Sequence, residues 1–252
     1  MARLPLFAAT LLAALSLSVA TAQTPPMSDA ERDAFRAEVR AYLMENPEVI
    51  FEAVAEFERR NQASQADMDI TLVELNAQDI FHDAHSWSTG NLEGDLILVE
   101  FMDYRCSYCR RAQEQVLGLI EGDGNIRLVI KEFPILGPQS ELMSRFALAV
   151  QQLGGEPAYA AAHEQLMAWD GEFVEDDVRT LASSLSLDGA EVLAQMNGEA
   201  VDAILASNHE LAQRLQISGT PTFVMGAGEG GELLRGFMPA DAMAEVATRL
   251  RG

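Results

Sequence analysis

The stretch EFMDYRCSYCRRAQ, residues Glu100–Gln113, contains both cysteines of the 252-residue chain, set three positions apart. Such a pair can serve as a structural cross-link, a metal clamp or a redox couple. A disulfide between residues this close would close almost no loop, so it would restrict the unfolded chain and stabilise the fold very little. The spacing therefore favours chemistry over cross-linking, and the surrounding residues must indicate which chemistry.

The residues around the cysteines predict a strand that leads into a helix. Gly94–Phe101 is a short apolar run rich in branched side chains, which is typical of a buried central strand. After the turn MDYR, apolar residues recur at helical spacing until Gly122. Cys106 should therefore lie at a helix N-terminus, where unpaired backbone N–H groups and the helix dipole stabilise a thiolate. Cys109, one turn further, is expected to lie shielded beneath it, within reach of a mixed disulfide on Cys106.

The rest of the main domain predicts an α/β order. Residues 125–134 (NIRLVIKEFP) predict a second strand, which is parallel to the first because a helix connects them. Residues from about 138 to 217 are predicted to be helical nearly throughout. A hairpin over 218–236 and a closing helix follow. The predicted order is therefore βαβ, a helical insertion, then ββα.

A second motif, SGTPTFV at residues 218–224, lies at the start of the late apolar strand. Proline at this point cannot donate a hydrogen bond to a sheet, and a cis Thr220-Pro221 bond would turn the strand edge toward a site. The backbone of Thr220 could then pair with an extended substrate peptide beside Cys106. An ordinary trans proline at a strand start is the alternative.

The first residues predict a secretory signal over 1–22. Arg3 precedes a long uncharged run, and Ala20-Thr21-Ala22 has the small-x-small pattern that predicts cleavage after Ala22. We therefore expect a periplasmic protein whose mature chain has no stable membrane insertion. The alternative is a retained membrane anchor. Export matters for the cysteines, because disulfides persist in oxidising compartments.

Residues 23–69 predict a separate helical segment with a linker, ahead of a main domain at 70–252. Ser28 and Glu31 have the spacing of a capping box, and an apolar stripe at helical spacing follows. Because a polar, charged stretch separates this stripe from the main domain, we expect it to meet another copy of the chain. Docking of the helices onto their own domain is the alternative. The stripe comprises Phe35, Val39, Tyr42 and Leu43 in the first helix and Ile50, Phe51, Val54 and Phe57 in the second.

The net charge excludes two classes of partner. The chain carries 39 acidic against 17 basic residues, a formal charge of −22. Nucleic acids and anionic lipids both require a cationic surface. We therefore expect no nucleic-acid partner.

Together, VEFMDYRCSYC, KEFP, the helical insertion and GTPTFV resemble the thioredoxin-fold disulfide oxidoreductases of the DsbA family, over about residues 70–252. The segment LMENPEVIFEA is similar to the oligomerisation region of the ScsC-like branch, periplasmic proteins linked to copper tolerance. The resemblance implies an α/β thioredoxin fold with a large helical insertion, preceded by an N-terminal helical segment. In that branch it also implies a self-associating disulfide isomerase.

The resemblance also implies roles for individual residues. Cys106 would be the nucleophile, Cys109 the resolving thiol and Thr220-Pro221 the cis-proline turn. Glu100 matches a buried acid of the family and Lys131 would be its partner, the two relaying protons to Cys109. The alternative is that Glu100 and Lys131 are exposed charges at strand ends.

The dipeptide between the cysteines, Ser107-Tyr108, differs from the Pro-His dipeptide of the strongest oxidants in the family. Without that histidine the disulfide should be less oxidising. Tyr108 and Thr220-Pro221 resemble the substrate-binding residues of the isomerase members. The implied substrates are exported, cysteine-containing proteins, and a DsbD- or DsbB-like membrane protein would be the redox partner.

Two other functions remain open at this point. One is a monomeric DsbA-like oxidase, in which the N-terminal helices play no part. The other is a Cu(I)-binding protein that uses the thiolates of Cys106 and Cys109. A copper clamp would give Thr220-Pro221 no purpose, so we expect no cofactor beyond the Cys106–Cys109 couple and no separate metal site.

Overall fold

The computed structural model describes residues 27–252, so the predicted signal sequence and its cleavage after Ala22 lie outside the described residues. Contacts divide the chain into two units, with the boundary between Glu58 and Arg59. The sequence placed this boundary at residue 70. The segment from Arg59 onward belongs with the larger unit because its end is tied there: Asp69 is nearly buried and forms an ion pair with Arg235 at 2.8 Å.

The smaller unit is helical. Helix α1 spans Asp29–Glu45, and α2 spans Glu48–Leu75, beginning in this unit. The capping box that starts α1 is confirmed, because Ser28 N–H donates to Glu31 Oε2 at 2.8 Å and Glu31 N–H donates to Ser28 Oγ at 3.4 Å. No residue of α1 is buried. The exposed large apolar side chains of this unit include Phe35, Val39, Tyr42, Met44, Ile50, Phe51, Val54 and Phe57.

The larger unit contains a five-stranded sheet and most of the helices. In chain order its further elements are α3 (Ala77–Phe81), β1 (Trp87–Gly90), β2 (Leu96–Met102), α4 (Ser107–Asp123), β3 (Ile126–Glu132), α5 (Pro138–Met167), α6 (Glu175–Ser184), α7 (Gly189–Met196), α8 (Glu199–Arg214), β4 (Thr222–Gly226), β5 (Gly231–Arg235) and α9 (Ala240–Arg251). The predicted βαβ, helical insertion and ββα are all present.

The strand order of the sheet is β1-β3-β2-β4-β5. Strands β2 and β3 are parallel, as predicted from their helical connection, and the other pairs are antiparallel. The sequence did not predict β1, a four-residue edge strand that pairs with β3. A strand this short and only half-buried has little of the apolar pattern that identifies strands in a sequence.

Strand β2 is buried along its whole length, so the sheet is covered on both sides. Alternate residues point to opposite faces. Leu98 and Met102 pack in a core with both cysteines and with α4 and α5; we call this side the cysteine face. Val99 and Phe101 pack in a second core against α3 and α8, which we call the opposite face. The two faces decide which side chains can reach the cysteines.

Candidate active site

The two cysteines occupy the start of α4. Cys106 is the N-cap residue, with extended backbone at φ −76° and ψ 113°, and its carbonyl accepts from Arg110 N–H at 3.2 Å. Cys109 lies one turn further and is fully buried, whereas 7% of Cys106 remains accessible. Both are free thiols in this structure. Both residues are buried, and Cys106 is the more accessible of the two.

The turn before Cys106 is held by a buried carboxylate. Asp103 accepts hydrogen bonds from the backbone N–H groups of Arg105 at 2.8 Å, Ile135 at 2.8 Å and Leu136 at 3.0 Å. Its carbonyl accepts from Cys106 N–H at 3.0 Å. Since these bonds join the turn to the segment after β3, Asp103 fixes the position from which Cys106 is presented.

Thr220-Pro221 lies directly beside the nucleophile. The peptide bond is cis, as predicted. The Cys106 thiol donates to the Thr220 carbonyl with a sulfur-to-oxygen distance of 3.2 Å, although the two residues are 114 positions apart. The Pro221 carbonyl in turn accepts from Gly236 N–H at 3.0 Å, which joins the loop after β5 to the same turn.

Glu100 lies on the cysteine face, since it alternates with Val99 and Phe101 along β2. It is 2% exposed, and its Oε1 atom has no hydrogen-bond partner among the described residues. Burial raises the pKa of Glu100 to about 8. Burial also raises the pKa of Cys109 strongly, and the charge of Glu100 raises it further. The two groups therefore oppose each other's ionisation, which suits the passage of one proton between them.

The predicted pairing of Lys131 with Glu100 is wrong. In the parallel register Lys131 lies opposite Phe101, and Glu100 lies opposite Ile130, so Lys131 projects to the opposite face of the sheet. There its ammonium group is 1% exposed, forms an ion pair with Asp83 and donates to Ser86 Oγ at 3.3 Å. Neither Glu100 nor Lys131 is an exposed strand-end charge, so that alternative is wrong as well.

The ion pair of Lys131 with Asp83 is a buried one. Burial opposes ionisation of Asp83, but the charge of Lys131 and its hydrogen bond outweigh it and lower the pKa of Asp83. The backbone N–H of Ser86 adds a hydrogen bond at 2.7 Å. The pair therefore ties the loop between α3 and β1 to β3, away from the cysteines.

Sequence reasoning missed a buried network centred on Glu132, the last residue of β3. Its carboxylate accepts from Tyr159 OH at 2.6 Å, from Ser144 Oγ at 2.7 Å and from Tyr104 OH at 2.8 Å. Tyr104 lies two positions before Cys106, and the other two donors belong to α5. The network therefore joins the helical insertion to the turn that carries the nucleophile.

Electrostatics in this network follow from burial. Burial raises the pKa of Glu132 to about 7, although three hydroxyl donors act in the other direction. Burial lowers the pKa of His163 to about 4, so its ring is neutral at pH 7. Nδ1 of His163 lies 3.0 Å from Tyr104 OH. Since that hydroxyl donates to Glu132, the ring places its hydrogen on Nδ1 and donates to the tyrosine oxygen.

An exposed cluster lies next to the cysteines on α4. The guanidinium of Arg111 lies 4.4 Å from the ring centroid of Tyr108 and 5.3 Å from that of Phe237. Tyr108 is 52% exposed and Phe237 is 39% exposed. The sequence singled out Tyr108 but gave no signal for Phe237, which comes from the loop after β5.

Among residues 27–252, no group of three or more His, Cys, Asp or Glu side chains is arranged to hold a metal ion. In the same range no helix is both long and apolar enough to cross a membrane.

Two family models match the chain. The DSBA-like thioredoxin domain matches residues 97–251, and the copper resistance protein ScsC N-terminal domain matches residues 31–64.

Three solved structures illustrate the likeness. A thioredoxin-like oxidoreductase from Silicibacter pomeroyi is 38% identical with a TM-score of 0.62, over 69% of this chain and 96% of that chain. BcfH from Salmonella enterica Typhimurium is 28% identical with a TM-score of 0.74, over 88% and 97%. A linker-deletion variant of Proteus mirabilis ScsC is 24% identical with a TM-score of 0.64, over 91% and 99%, which shows the shared fold.

The chain spans about a quarter of the length of the first curated relatives it matches. It is 29% identical over 169 residues to the Na(+)/H(+) antiporter NhaA 1 of Salinispora arenicola, which covers 64% of this chain and 25% of that protein. Because the match covers so small a part of the antiporter, its transport activity is not carried over to this chain.

Proposed function

Because the chain belongs to the DSBA-like thioredoxin domain family, we propose that it is a periplasmic thiol–disulfide oxidoreductase that acts on exported, cysteine-containing proteins. Its main activity is disulfide isomerisation by an oligomer. The observation that carries the proposal is the 3.2 Å contact between Cys106 Sγ and the Thr220 carbonyl, with the shielded Cys109 beneath. The contact supports the proposal because it brings the Cys106 sulfur next to the backbone with which a substrate peptide would pair.

The first step is attack by the Cys106 thiolate on a substrate disulfide. A new bond forms between Cys106 and one substrate sulfur, the substrate disulfide breaks, and the second substrate sulfur leaves as a thiolate that takes up a proton. A peptide strand that pairs with the backbone of Thr220 aligns its disulfide with Cys106. In isomerisation, a substrate thiol then attacks the mixed disulfide and releases Cys106 as a thiolate, so the protein ends as it began.

Cys109 provides the second outcome. Glu100 accepts the proton of the Cys109 thiol, and the resulting thiolate attacks Cys106 in the mixed disulfide. The Cys106–Cys109 disulfide forms as the bond between Cys106 and the substrate breaks, and that substrate sulfur leaves as a thiolate that takes up a proton, so the substrate ends with two thiols and two more electrons. A carboxyl group with a pKa near 8 is suited to this exchange, because both of its protonation states are populated near neutral pH.

A reductant is required to keep Cys106 in the attacking form. The oxidised pair must receive two electrons and two protons from a dithiol donor, for which a DsbD-like membrane protein is the proposed partner. A DsbB-like partner would instead withdraw electrons and make the protein an oxidase. The Ser107-Tyr108 dipeptide supports the reducing direction, since it lacks the thiolate-stabilising histidine of the strong oxidants. The proposal needs no further redox group.

Oligomerisation is supported by the exposed apolar surface of the smaller unit. Eight large apolar side chains of α1 and the first part of α2 remain exposed, a pattern that marks an interaction surface. Phe51 is 74% exposed and Phe57 is 65% exposed. Burial of such aromatic side chains against a second copy would be favourable. The match to the ScsC N-terminal domain lies over the same segment.

The periplasmic location rests on the first residues of the sequence. Residues 1–22 have the features of a cleavable secretory signal, and export would place the thiols where substrate disulfides occur.

One experiment tests the activity and the oligomer together. The chain from residue 23 is compared with three variants in the refolding of a scrambled multi-disulfide protein. Cys106→Ser removes the nucleophile, and the double variant Phe51→Glu with Phe57→Glu charges the apolar surface. Ser64→Glu adds a charge at an exposed position of α2 outside that surface and serves as the control. Light scattering on the same samples reports the oligomeric state.

We expect Cys106→Ser to lose all activity, and the double variant to become a monomer with little isomerase activity but intact reductase activity. The Ser64→Glu control should match the parent protein. Full isomerase activity in a monomeric double variant would refute the oligomeric isomerase. Oxidation of reduced substrate without isomerisation would identify an oxidase instead.

A further inference from the structure

The cluster of Tyr108, Arg111 and Phe237, which we call the aromatic–arginine cluster, is built into the edge of the active site. Tyr108 belongs to the dipeptide between the cysteines, and Arg111 lies on the next turn of α4. Phe237 follows Gly236, whose N–H donates to the Pro221 carbonyl. Since the cluster combines two side chains of α4 with one from the loop that is bonded to Pro221, it lies beside the position of a peptide that pairs with Thr220.

The guanidinium of Arg111 lies near two aromatic rings and can still bind a ligand. The guanidinium carbon lies over the ring of Tyr108, 4.4 Å from its centroid, and over the ring of Phe237, 5.3 Å from its centroid, and a guanidinium carries five N–H donors. No hydrogen bond or ion pair found within residues 27–252 uses these donors. A carboxylate can therefore accept two parallel hydrogen bonds from Arg111 while the rings hold the guanidinium in place.

The three arginines around the nucleophile lack a carboxylate partner, unlike several other arginines of the chain. Arg105, Arg110 and Arg111 flank the cysteines, and none of them pairs with a carboxylate in the described part of the chain; Arg105 and Arg110 donate to backbone carbonyls instead. Other arginines do pair with carboxylates, namely Arg36, Arg145, Arg179, Arg214, Arg235, Arg249 and Arg251. A protein with a net charge of −22 thus has three arginines without a carboxylate partner beside its reactive sulfur.

We propose that the aromatic–arginine cluster determines substrate specificity, and that it selects extended peptides with an acidic residue next to the reacting cysteine. This inference rests on the proposed function, because it concerns the peptide that Cys106 attacks. The acidic side chain binds Arg111, and the exposed ring of Phe237 contacts the apolar part of the same peptide. An ion pair between two side chains in water changes the affinity for the peptide by about 3- to 10-fold. Salt screens the two charges and weakens the effect.

The test measures the rate at which the reduced protein attacks three peptides. All three share one sequence with a single cysteine that is disulfide-bonded to a quenched dye thiol, and the residue next to the cysteine is Glu, Gln or Lys. Second-order rate constants are measured by dye release at low ionic strength and again in about 0.5 M salt. The ratio of the rates for the Glu and Lys peptides is the readout, because the intrinsic reactivity of Cys106 cancels in the ratio.

Three variants are compared with the parent protein. Arg111→Gln removes the charge, Phe237→Ala removes one of the two rings that hold it, and Arg179→Gln removes an equal charge from an exposed position on α6. For the parent protein and for Arg179→Gln we expect the Glu peptide to react about 10-fold faster than the Lys peptide. The ratio of the Glu-peptide rate to the Lys-peptide rate should fall to about 2 in Arg111→Gln and to an intermediate value in Phe237→Ala. In high salt this ratio should be near 1.

Equal rates for the three peptides, or an unchanged ratio in Arg111→Gln, would overturn the specificity while leaving the exchange activity established. A parent protein that attacks none of the peptides, although its thiols react with uncharged 4,4′-dithiodipyridine, would instead refute the proposed function. An equal loss of the ratio in Arg179→Gln would show a general effect of net charge and would also overturn the inference.

Discussion

Two buried carboxylates lie on the cysteine face of the sheet, on neighbouring parallel strands, and they have opposite surroundings. Glu132 accepts three side-chain hydrogen bonds, from Tyr104, Tyr159 and Ser144. Glu100 is equally buried, yet its Oε1 atom has no partner in the described part of the chain. Burial raises both pKa values, to about 7 for Glu132 and to about 8 for Glu100.

The difference shows how one residue type serves structure or chemistry according to its partners. A carboxylate with several donors is fixed in place, and its removal leaves those donors buried without acceptors. Burial of a carboxylate without partners costs free energy, but such a group can exchange a proton with a neighbour. We therefore expect Glu132 to matter for the free energy of unfolding and Glu100 to matter for the rate of disulfide exchange.

The largest expected effect is the replacement of Glu132. Glu132→Ala leaves three buried hydroxyl groups without their acceptor, which should lower the free energy of unfolding by about 4 kcal/mol. Glu132→Gln keeps one acceptor oxygen and should cost about 1–2 kcal/mol. Urea unfolding followed by tryptophan fluorescence measures both, since the ring of Trp87 lies against those of Tyr159 and His163. If Glu100→Ala lowered the free energy of unfolding by as much as Glu132→Ala does, the two carboxylates would not differ in their structural roles.

Lys131 offers a comparison across the sheet. Lys131→Met leaves Asp83 as a largely buried charge without its partner, which should lower the free energy of unfolding by about 3 kcal/mol. Because Lys131 projects away from the cysteines, the rate of disulfide exchange in the folded variant should change by less than about 2-fold. Stopped-flow exchange with a peptide disulfide measures that rate. A large loss of exchange in a stable Lys131→Met variant would restore the proton-relay role that the register argues against.

Glu100 should affect only the step in which Cys109 attacks the mixed disulfide on Cys106. Glu100→Gln removes the proton acceptor beside Cys109, so the conversion of a mixed disulfide to the Cys106–Cys109 disulfide should slow by about 100-fold, or about 2.7 kcal/mol. Acid quenching and thiol alkylation of a single turnover separate this step from the attack by Cys106. Glu132→Gln is the matched control and should resolve the mixed disulfide at the parental rate. Parental resolution in Glu100→Gln would remove Glu100 from the mechanism.

The smallest expected effect is on the pH dependence of stability. Both carboxyl groups have folded pKa values above the unfolded value near 4.5, so between pH 4.5 and 8 the folded state binds more protons. The free energy of unfolding should therefore fall as pH rises through this range. His163 acts in the opposite direction between pH 4 and 6.5, because its folded pKa is lowered. Above pH 6.5 the contribution of His163 fades and the decline dominates.

Urea midpoints at pH 6.5 and 8 measure that decline. Glu100→Gln should reduce it, and a variant with both Glu100→Gln and Glu132→Gln should nearly abolish it. A decline of the parental size in the double variant would show that other groups titrate over this range.

Several features of the fold and of the site could be predicted from short patterns in the sequence. The strand before Cys106, the capping box at Ser28 and the proximity of Thr220-Pro221 to the nucleophile are all confirmed. Local periodicity and turn chemistry specify such elements, and the βαβ order limits how the strands can be arranged. The position of Pro221 at the start of an apolar strand indicated the cis bond and its place beside Cys106, and the family resemblance implied the same role.

Other features depended on how the strands align and on which distant segments the fold brings together. Whether Lys131 shares a face with Glu100 is decided by how β2 and β3 align, and a shift of one residue reverses the answer. The donors of Glu132 come from the turn before α4 and from α5, and no short pattern links those segments. Phe237 approaches Arg111 only because the loop after β5 is bound to Pro221.

By itself, the sequence determined the order of the elements, the position of Cys106 at a helix N-terminus and the shielding of Cys109, because these follow from hydrophobic periodicity and backbone geometry over a few residues. The tertiary structure alone decided which buried carboxylate has partners and which does not. The reason is physical: hydrogen bonds and charges act over a few ångströms in space, and in this fold those distances join residues that are far apart in the chain.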